Sequence, residues 1–169
     1  MCAIGAWCRY ASHCLEHGDW AEAEAALLAW RRVLARGGHL SLAVPHVPNI
    51  GALLVASEAT ALFGGGGGDL GGLGDGGALG GRAVEQGSLL MVLYGAQRDA
   101  TDTHKSGFTY HVLAMLLRRA GFCGAAFVPS FHRFASDSSS LAVDGVPISL
   151  NVRAVACAAL DGGVTGGWA

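Results

Sequence analysis

Residues 19–45 read DWAEAEAALLAWRRVLARGGHLSLAVP, and this stretch predicts a helix followed by a buried strand. Asp19 and Glu22 have the D-x-x-E spacing of a capping box, in which two residues cap one helix start reciprocally. Arg36 is expected in the last helical turn, with the Gly-Gly pair after it ending the helix. Apolar side chains recur at helical spacing and form one stripe, composed of Ala23, Ala26, Leu27, Trp30, Val33 and Leu34.

The neighbouring segments extend this helix into an α/β pattern. Leu40 to Pro45 is a short apolar run that ends at proline, which is typical of a buried strand. Trp7 to His13, before the helix, has extended character, and Asn49 to Phe63, after the strand, has weak helical character. A strand, a helix and a strand in this order predict a right-handed crossover in a parallel sheet.

A glycine tract divides the chain into two blocks. Between Gly64 and Gly81, 12 of 18 residues are glycine, and glycine loses the most backbone entropy on ordering. Residues 64–82 are therefore expected to be a flexible linker or surface insertion, and they lack the spacing and the Lys-Ser/Thr pair of a phosphate-binding loop. The structured blocks are residues 7–63 and 83–157, followed by a loose tail at 158–169.

The second block predicts one more helix and two strands. Thr109 is expected to cap the helix and Gly121 to end it. Gly124 to Phe134 and Val146 to Cys157 are expected to form an antiparallel pair at a sheet edge, joined through the polar run Ser136 to Ser140. The apolar stripe of the helix comprises Val112, Leu113, Leu116, Leu117 and Ala120.

The composition excludes several classes of function. A length of 169 residues suits one domain, and 11 Lys and Arg with a net charge of -2 offer no basic face for nucleic acid. No signal-peptide pattern and no apolar run of about 20 residues occur, so no membrane span is expected. The five cysteines include no C-x-x-C pair, which suggests neither a disulfide framework nor a zinc site. We therefore expect a reduced, intracellular protein of the cytoplasm.

Several separated motifs together resemble class I S-adenosylmethionine-dependent methyltransferases. YASHCLEH at 10–17 resembles the SHVLEH segment after the fourth strand of that family, and WRRVLARGGHL at 30–40 resembles the RVLKPGG that leads into the fifth. Five further motifs follow in the order of a predicted, type 11-like methyltransferase subgroup: YGAQ at 94–97, DTHK at 102–105, GFT at 107–109, AGF at 120–122 and PISLN at 147–151.

The resemblance implies a partial Rossmann-like methyltransferase sheet, with strands four to seven and flanking helices. It also implies methyl transfer from S-adenosylmethionine to an unidentified small-molecule acceptor. In this family, the first strand, its glycine-rich loop and an acid ending the second strand hold the cofactor. Nothing before Trp7 corresponds to these parts, so the N-terminal cofactor-loop half is expected to be missing. The alternative is a noncatalytic, truncated methyltransferase-like remnant or binding module that cannot hold the cofactor alone.

The missing half has a consequence for assembly. The family's first strand pairs with the fourth, so its absence would leave Trp7 to His13 as an exposed sheet edge. Exposed apolar edges favour association. We therefore expect either a truncated product or a chain that self-associates or completes its sheet through this edge.

The resemblance assigns Ser12 and His13 to the cofactor. They follow the fourth strand, and the carboxyl ends of parallel strands face the ligand in open sheets. The alternative is that Ser12 satisfies a backbone group and His13 packs at the sheet edge. Glu16 and His17 are open to two interpretations as well, as a general-base pair or as charges at a helix start.

The preferred substrate contact is His104, which Asp102 and Lys105 flank at a helix N-terminus. The alternative is a helix-entry loop held by bonds from Asp102 and His104 to the backbone. Tyr94 and Gln97 are substrate-binding residues only through the resemblance.

No catalytic residue and no metal site are predicted. Methyl transfer chiefly requires alignment, because the sulfonium supplies the reactivity. His13 and His17 are four residues apart, but the sequence shows neither an H-E-x-x-H pattern nor a third ligand. Arg133 and Asp137 are expected to pair across a loop in a structural role.

Overall fold

The chain folds around a four-stranded mixed sheet with flanking helices. The computed structural model describes residues 6–63, 87–135 and 137–157, so the glycine tract at 64–82 and the tail at 158–169 lie outside the described residues. The strands of the sheet are β1 (Ala6–Ser12), β2 (Leu34–Pro45), β3 (Phe122–Phe127) and β6 (Ser149–Ala156). Their order is β1-β2-β6-β3, with β1 parallel to β2 and β6 antiparallel to both of its neighbours. Two-residue strands β4 (Ala142–Val143) and β5 (Val146–Pro147) pair separately.

The first unit is the predicted strand, helix and parallel strand. Helix α1 (Trp20–Val33) begins with the predicted capping box, in which Asp19 Oδ1 accepts from Glu22 N at 2.8 Å and Glu22 Oε2 accepts from Asp19 N at 2.9 Å. The predicted C-terminal end of this helix is wrong. The helix ends at Val33, and Arg36 with the following two glycines lies in β2. Leu34 pairs with β1 through Ala6, so strand pairing prevails over the local tendency to continue the helix.

Three further helices lie within the described residues. Helix α2 (Val47–Phe63) begins two residues before the predicted Asn49, and residues 87–94 are helical and are termed α3. Helix α4 (Tyr110–Arg119) confirms both predicted ends: Thr109 Oγ1 accepts from Val112 N at 3.3 Å, and Gly121 has a φ of 87° beyond the last turn. Among the described residues, no helix has the length and apolarity needed to cross a membrane.

The C-terminal strands are antiparallel as predicted, but their positions differ. Residues 128–134 leave the sheet, and β3 begins at Phe122 rather than Gly124. Strand β6 lies inside the sheet between β2 and β3, so of the two C-terminal strands β3 alone is at an edge, opposite β1. The absence of disulfides expected from the sequence is also wrong. Cys123 and Cys157 are disulfide-bonded, because antiparallel pairing brings their Cα atoms to 5.8 Å across 34 residues of sequence.

Two apolar clusters support the sheet. The larger joins α1 and α4 to the central strands, with Leu27, Leu113 and Leu117 packing among fully buried side chains of β2 and β6. The smaller joins α2 and α3 around Ile50, Leu89 and Ile148. Glu24 and Arg119 connect α1 to α4 through a bidentate ion pair at 2.9 and 3.2 Å. Apolar packing therefore holds the strands in place, and the polar site lies at their ends.

Candidate functional site

Polar side chains gather where β1 and β2 end together. The chain turns sharply after β1, because His13 has a φ of 49° while its N–H still bonds to the β2 carbonyl of Ala43 at 2.9 Å. Left-handed backbone is uncommon outside glycine, although histidine tolerates it better than most residues. The turn leads into a short 3-10 helix, Leu15–His17, which places Glu16 in the interior.

A second loop, residues 95–109, reaches the same place from α3. Gly95 has a φ of 78°, and a Cβ there would overlap the carbonyl oxygen of Asp102. This close approach lets His104 N donate to the Tyr94 carbonyl at 3.0 Å. Lys105 N then donates to the Glu16 carbonyl at 2.8 Å. The loop is thereby attached directly to the turn that follows β1.

Glu16 is the centre of the site. Its side chain is 0% exposed, and neither carboxylate oxygen accepts a hydrogen bond from the described residues. The nearest imidazole nitrogens are His13 Nδ1 at 3.3 Å and His104 Nε2 at 4.0 Å, both measured to Oε1. His17 completes the group, with its ring edge-on to that of His104 at 4.6 Å between centroids.

His13 links Glu16 to the start of β6. Its Nε2 lies 2.9 Å from Ser149 Oγ, and that hydroxyl donates to the Ser138 carbonyl at 2.7 Å. Because a serine hydroxyl has one hydrogen, His13 Nε2 must be the donor to Ser149. A second proton on Nδ1 would make His13 the counter-ion of Glu16. The group therefore has the parts to hold or move a proton beside a buried carboxylate.

A cleft of about 340 Å³ opens beside this group. Two of the predicted substrate residues, Asp102 and His104, line it together with His17 and Gly95. Burial lowers the pKa of His104 despite the neighbouring Glu16 carboxylate, which favours a neutral imidazole. A hydrogen bond from exposed Arg98 lowers the pKa of Asp102, which favours the carboxylate.

The other predicted site residues occupy different surroundings. Tyr94 is 52% exposed. Gln97 is also exposed, and its backbone N–H donates to the Asp102 carbonyl at 3.4 Å. Lys105 Nζ lies 3.3 Å from Glu22 Oε2 on α1. Ser12 Oγ contacts Ser138 Oγ at 2.5 Å, so its partner is a side-chain hydroxyl rather than a backbone group. The His13 side chain bonds to Ser149 at the start of β6, and its other ring nitrogen faces Glu16.

Sequence reasoning named Asp137 but missed that it is a second buried carboxylate beside β1. Asp137 accepts hydrogen bonds from the Tyr10 hydroxyl, from Arg133 N at 2.7 Å and from Ser139 N at 2.9 Å. Burial opposes its ionisation, but these donors prevail and hold its pKa well below the usual range. The expected pairing with Arg133 is thus made by the backbone, and the described residues show no ion pair between the two side chains.

The sequence held only a weak signal for the Glu16 group. Glu16 stands between His13 and His17 directly after a strand, but surface charges at a helix start look the same in a sequence. Its third neighbour, His104, is 88 positions away and is brought in by the loop that Gly95 permits. Comparison of the chain with protein-family models and with curated proteins finds no match.

Proposed function

We propose that the chain is a Rossmann-like domain of the class I methyltransferase type, acting on a small-molecule acceptor with S-adenosylmethionine. One observation carries the proposal: the polar group at His13, Glu16 and His104, with its cleft, lies at the carboxyl ends of two parallel strands. Open parallel sheets bind their ligands at this edge. The ordered motifs between residues 10 and 156 give the reaction class.

The described residues match the cofactor only in part. Ser12 and His13 are available as lining groups where β1 ends, but both already bond to other side chains. Among residues 6–63, 87–135 and 137–157, no glycine-rich loop joins a strand to a helix, and no acid ends a strand. The contacts to ribose and methionine must come from outside the described residues, or they are not made.

The side chains that line the cleft are suited to binding the methyl acceptor. When bound, the cofactor supplies the reactive sulfonium, so the protein chiefly aligns the acceptor. In this proposal, His104 and Asp102 orient the acceptor from the cleft wall. His104 Nε2, 4.0 Å from Glu16, is placed to take a proton where the acceptor must lose one. Tyr94, Gln97 and Lys105 contribute only where the acceptor extends onto the exposed face of the loop.

The competing function is a noncatalytic binding module that keeps this sheet but does not bind the cofactor by itself. The internal bonds of Ser12 and His13 favour it, because they satisfy the groups that a cofactor would otherwise engage. Titration calorimetry of S-adenosylmethionine into the purified chain distinguishes the two. The methyltransferase predicts saturable one-site binding that His13→Ala weakens and His39→Ala, an exposed control on β2, leaves unchanged. The binding module predicts no saturable heat.

The proposal includes self-association through β1, which is the outer strand of the sheet among the described residues. Trp7 on this strand is 70% exposed. Size-exclusion chromatography with light scattering should show a dimer or larger species, and Trp7→Lys should shift it toward monomer because charge on an edge strand opposes pairing. A monomeric wild-type chain at all concentrations would contradict this part.

A further inference from the structure

We propose that Glu16, His17 and His104 form a binding site for a divalent transition metal ion of the zinc class. One ligand atom from each side chain lies within 4.8 Å of the other two. Two imidazole nitrogens and one carboxylate oxygen are a donor set that zinc accepts in sites with an open position. The site requires no S-adenosylmethionine, so zinc binding is tested separately from the function proposed above. A bound ion would occupy His104 Nε2, the nitrogen that the proposed function uses to take a proton.

The strongest observation is the state of Glu16. A buried carboxylate is costly unless it is paired and hydrogen-bonded. Glu16 is 0% exposed and accepts no hydrogen bond from the described residues. The nearest imidazole nitrogens, His13 Nδ1 at 3.3 Å and His104 Nε2 at 4.0 Å from Oε1, make no hydrogen bond to the carboxylate. A bound cation supplies the partner that the surrounding chain does not.

Both imidazoles offer a ring nitrogen to the site. Nδ1 of His17 is buried and makes no hydrogen bond in the described part of the chain, and His104 presents Nε2 to Glu16 Oε1 at 4.0 Å. Neutral imidazole is the metal-binding form, because the ligand is an unprotonated ring nitrogen.

The backbone holds the three ligands in place before any ion binds. Glu16 and His17 share the 3-10 helix, and the Glu16 carbonyl accepts from both Lys105 N and Ser106 N, which fixes the loop bearing His104. Ligands of a tetrahedral zinc ion stand about 3.4 Å apart, given bond lengths of about 2.0 to 2.1 Å. The present 4.0 Å between Glu16 Oε1 and His104 Nε2 needs only a small side-chain rotation to close.

The cleft supplies the remaining coordination position. His17 and His104 both line its wall, so an ion at this point faces a volume of about 340 Å³. A water molecule or an oxygen of a small ligand can complete the coordination from there. His13, bonded to Ser149 and in contact with Glu16, is a positioning residue that orients the carboxylate.

The test is titration of the full purified chain with ZnCl2 by calorimetry, with CoCl2 as a spectroscopic substitute. We expect one ion per chain. His17→Ala and His104→Ala should each weaken binding by more than about 100-fold, and His13→Ala by about 10- to 100-fold, the usual loss for an outer-shell partner. His111→Ala removes an exposed histidine of α4 and should leave the affinity within about twofold.

A second variant separates lost ligation from lost folding. His17→Cys keeps a zinc ligand at a half-buried position and should retain binding while adding a thiolate-to-cobalt absorption band. Circular dichroism confirms that each variant is folded before titration. No stoichiometric binding by the wild type, or unchanged affinity in His17→Ala, would overturn the proposal. So would a thiolate band in the wild type that Cys14→Ser removes, because exposed Cys14 would then be the ligand.

Discussion

Two buried carboxylates lie close to the end of β1, and their surroundings are opposite. Asp137 is 6% exposed and accepts hydrogen bonds from Tyr10, Arg133 and Ser139. Glu16 is 0% exposed and accepts none from the described residues. A satisfied carboxylate stabilises the fold, whereas an unsatisfied one costs stability and indicates a partner from outside the chain. Asp137 thus has a structural role, and Glu16 belongs to a binding site.

The largest expected effect comes from breaking the Glu16 group without touching Asp137. Gly95→Ala places a Cβ against the Asp102 carbonyl at a φ of 78°, so the loop bearing His104 must move. We expect the free energy of unfolding to fall by about 2 to 4 kcal/mol. Urea unfolding measures the loss, and zinc binding should disappear with it.

Gly51→Ala is the matched control for this variant. A Cβ at Gly51, inside α2, meets nothing within 4 Å. Alanine should therefore stabilise the helix by about 0.5 to 1 kcal/mol. Equal effects of the two substitutions would show that the Gly95 loop is not held as described.

The next largest effect is expected when the charge is removed from Asp137, the hydrogen-bonded carboxylate. The Asp137 carboxylate accepts three hydrogen bonds in a buried loop, and Asp137→Asn removes its charge and one of its acceptor oxygens. We therefore expect the free energy of unfolding to fall by about 3 kcal/mol. Asp144→Asn, at an exposed turn, should stay within about 0.5 kcal/mol. A small effect at Asp137 in the same urea experiment would contradict its structural role.

Acidification should reveal the same carboxylate. Because the pKa of Asp137 is lowered in the folded state, its stabilising contribution is present above the unfolded pKa of about 3.9 and is lost as the pH falls toward the folded value. Thermal melts between pH 6 and pH 3 should show a smaller acid-induced decrease in Asp137→Asn than in the wild type. Parallel decreases would count against the hydrogen bonds assigned to Asp137.

The smallest stability effect is expected at Glu16 itself. Glu16→Gln removes a buried charge that has no hydrogen bond to lose, together with the contacts of the carboxylate to His13 and His104. With EDTA present, its free energy of unfolding should differ from the wild type by less than about 1 kcal/mol. Added ZnCl2 should raise the melting temperature of the wild type only, since ligand binding to the native state stabilises it. A large loss without metal would assign Glu16 a structural role instead.

Local patterns predicted the parts of the fold that local interactions determine. The capping box at Asp19 and the Thr109 cap involve residues three apart, and both helix starts are confirmed. The end of α1 and the bounds of β3 were wrong because strand pairing decides them. Leu34 pairs with Ala6 and therefore belongs to β2 rather than to the helix. Residues 128–134 leave the sheet, which places Phe131 and Phe134 against Tyr10.

The candidate site was predictable only as separate pieces. The motifs indicated His13 and His104, but nothing in the sequence shows that Glu16 is buried between them. That burial depends on the backbone bonds between the turn after β1 and the loop before α4. Asp137 was paired with the wrong group of Arg133, because a sequence does not show that a loop will donate its own N–H groups.

The most direct test of the contrast between the two carboxylates is X-ray diffraction at the zinc absorption edge from crystals of the full chain grown with ZnCl2. We expect one anomalous peak at about 2.0 to 2.2 Å from Glu16, His17 and His104, and none at Asp137. A peak at another group alone, or a Glu16 carboxylate hydrogen-bonded within the chain and free of metal, would contradict it.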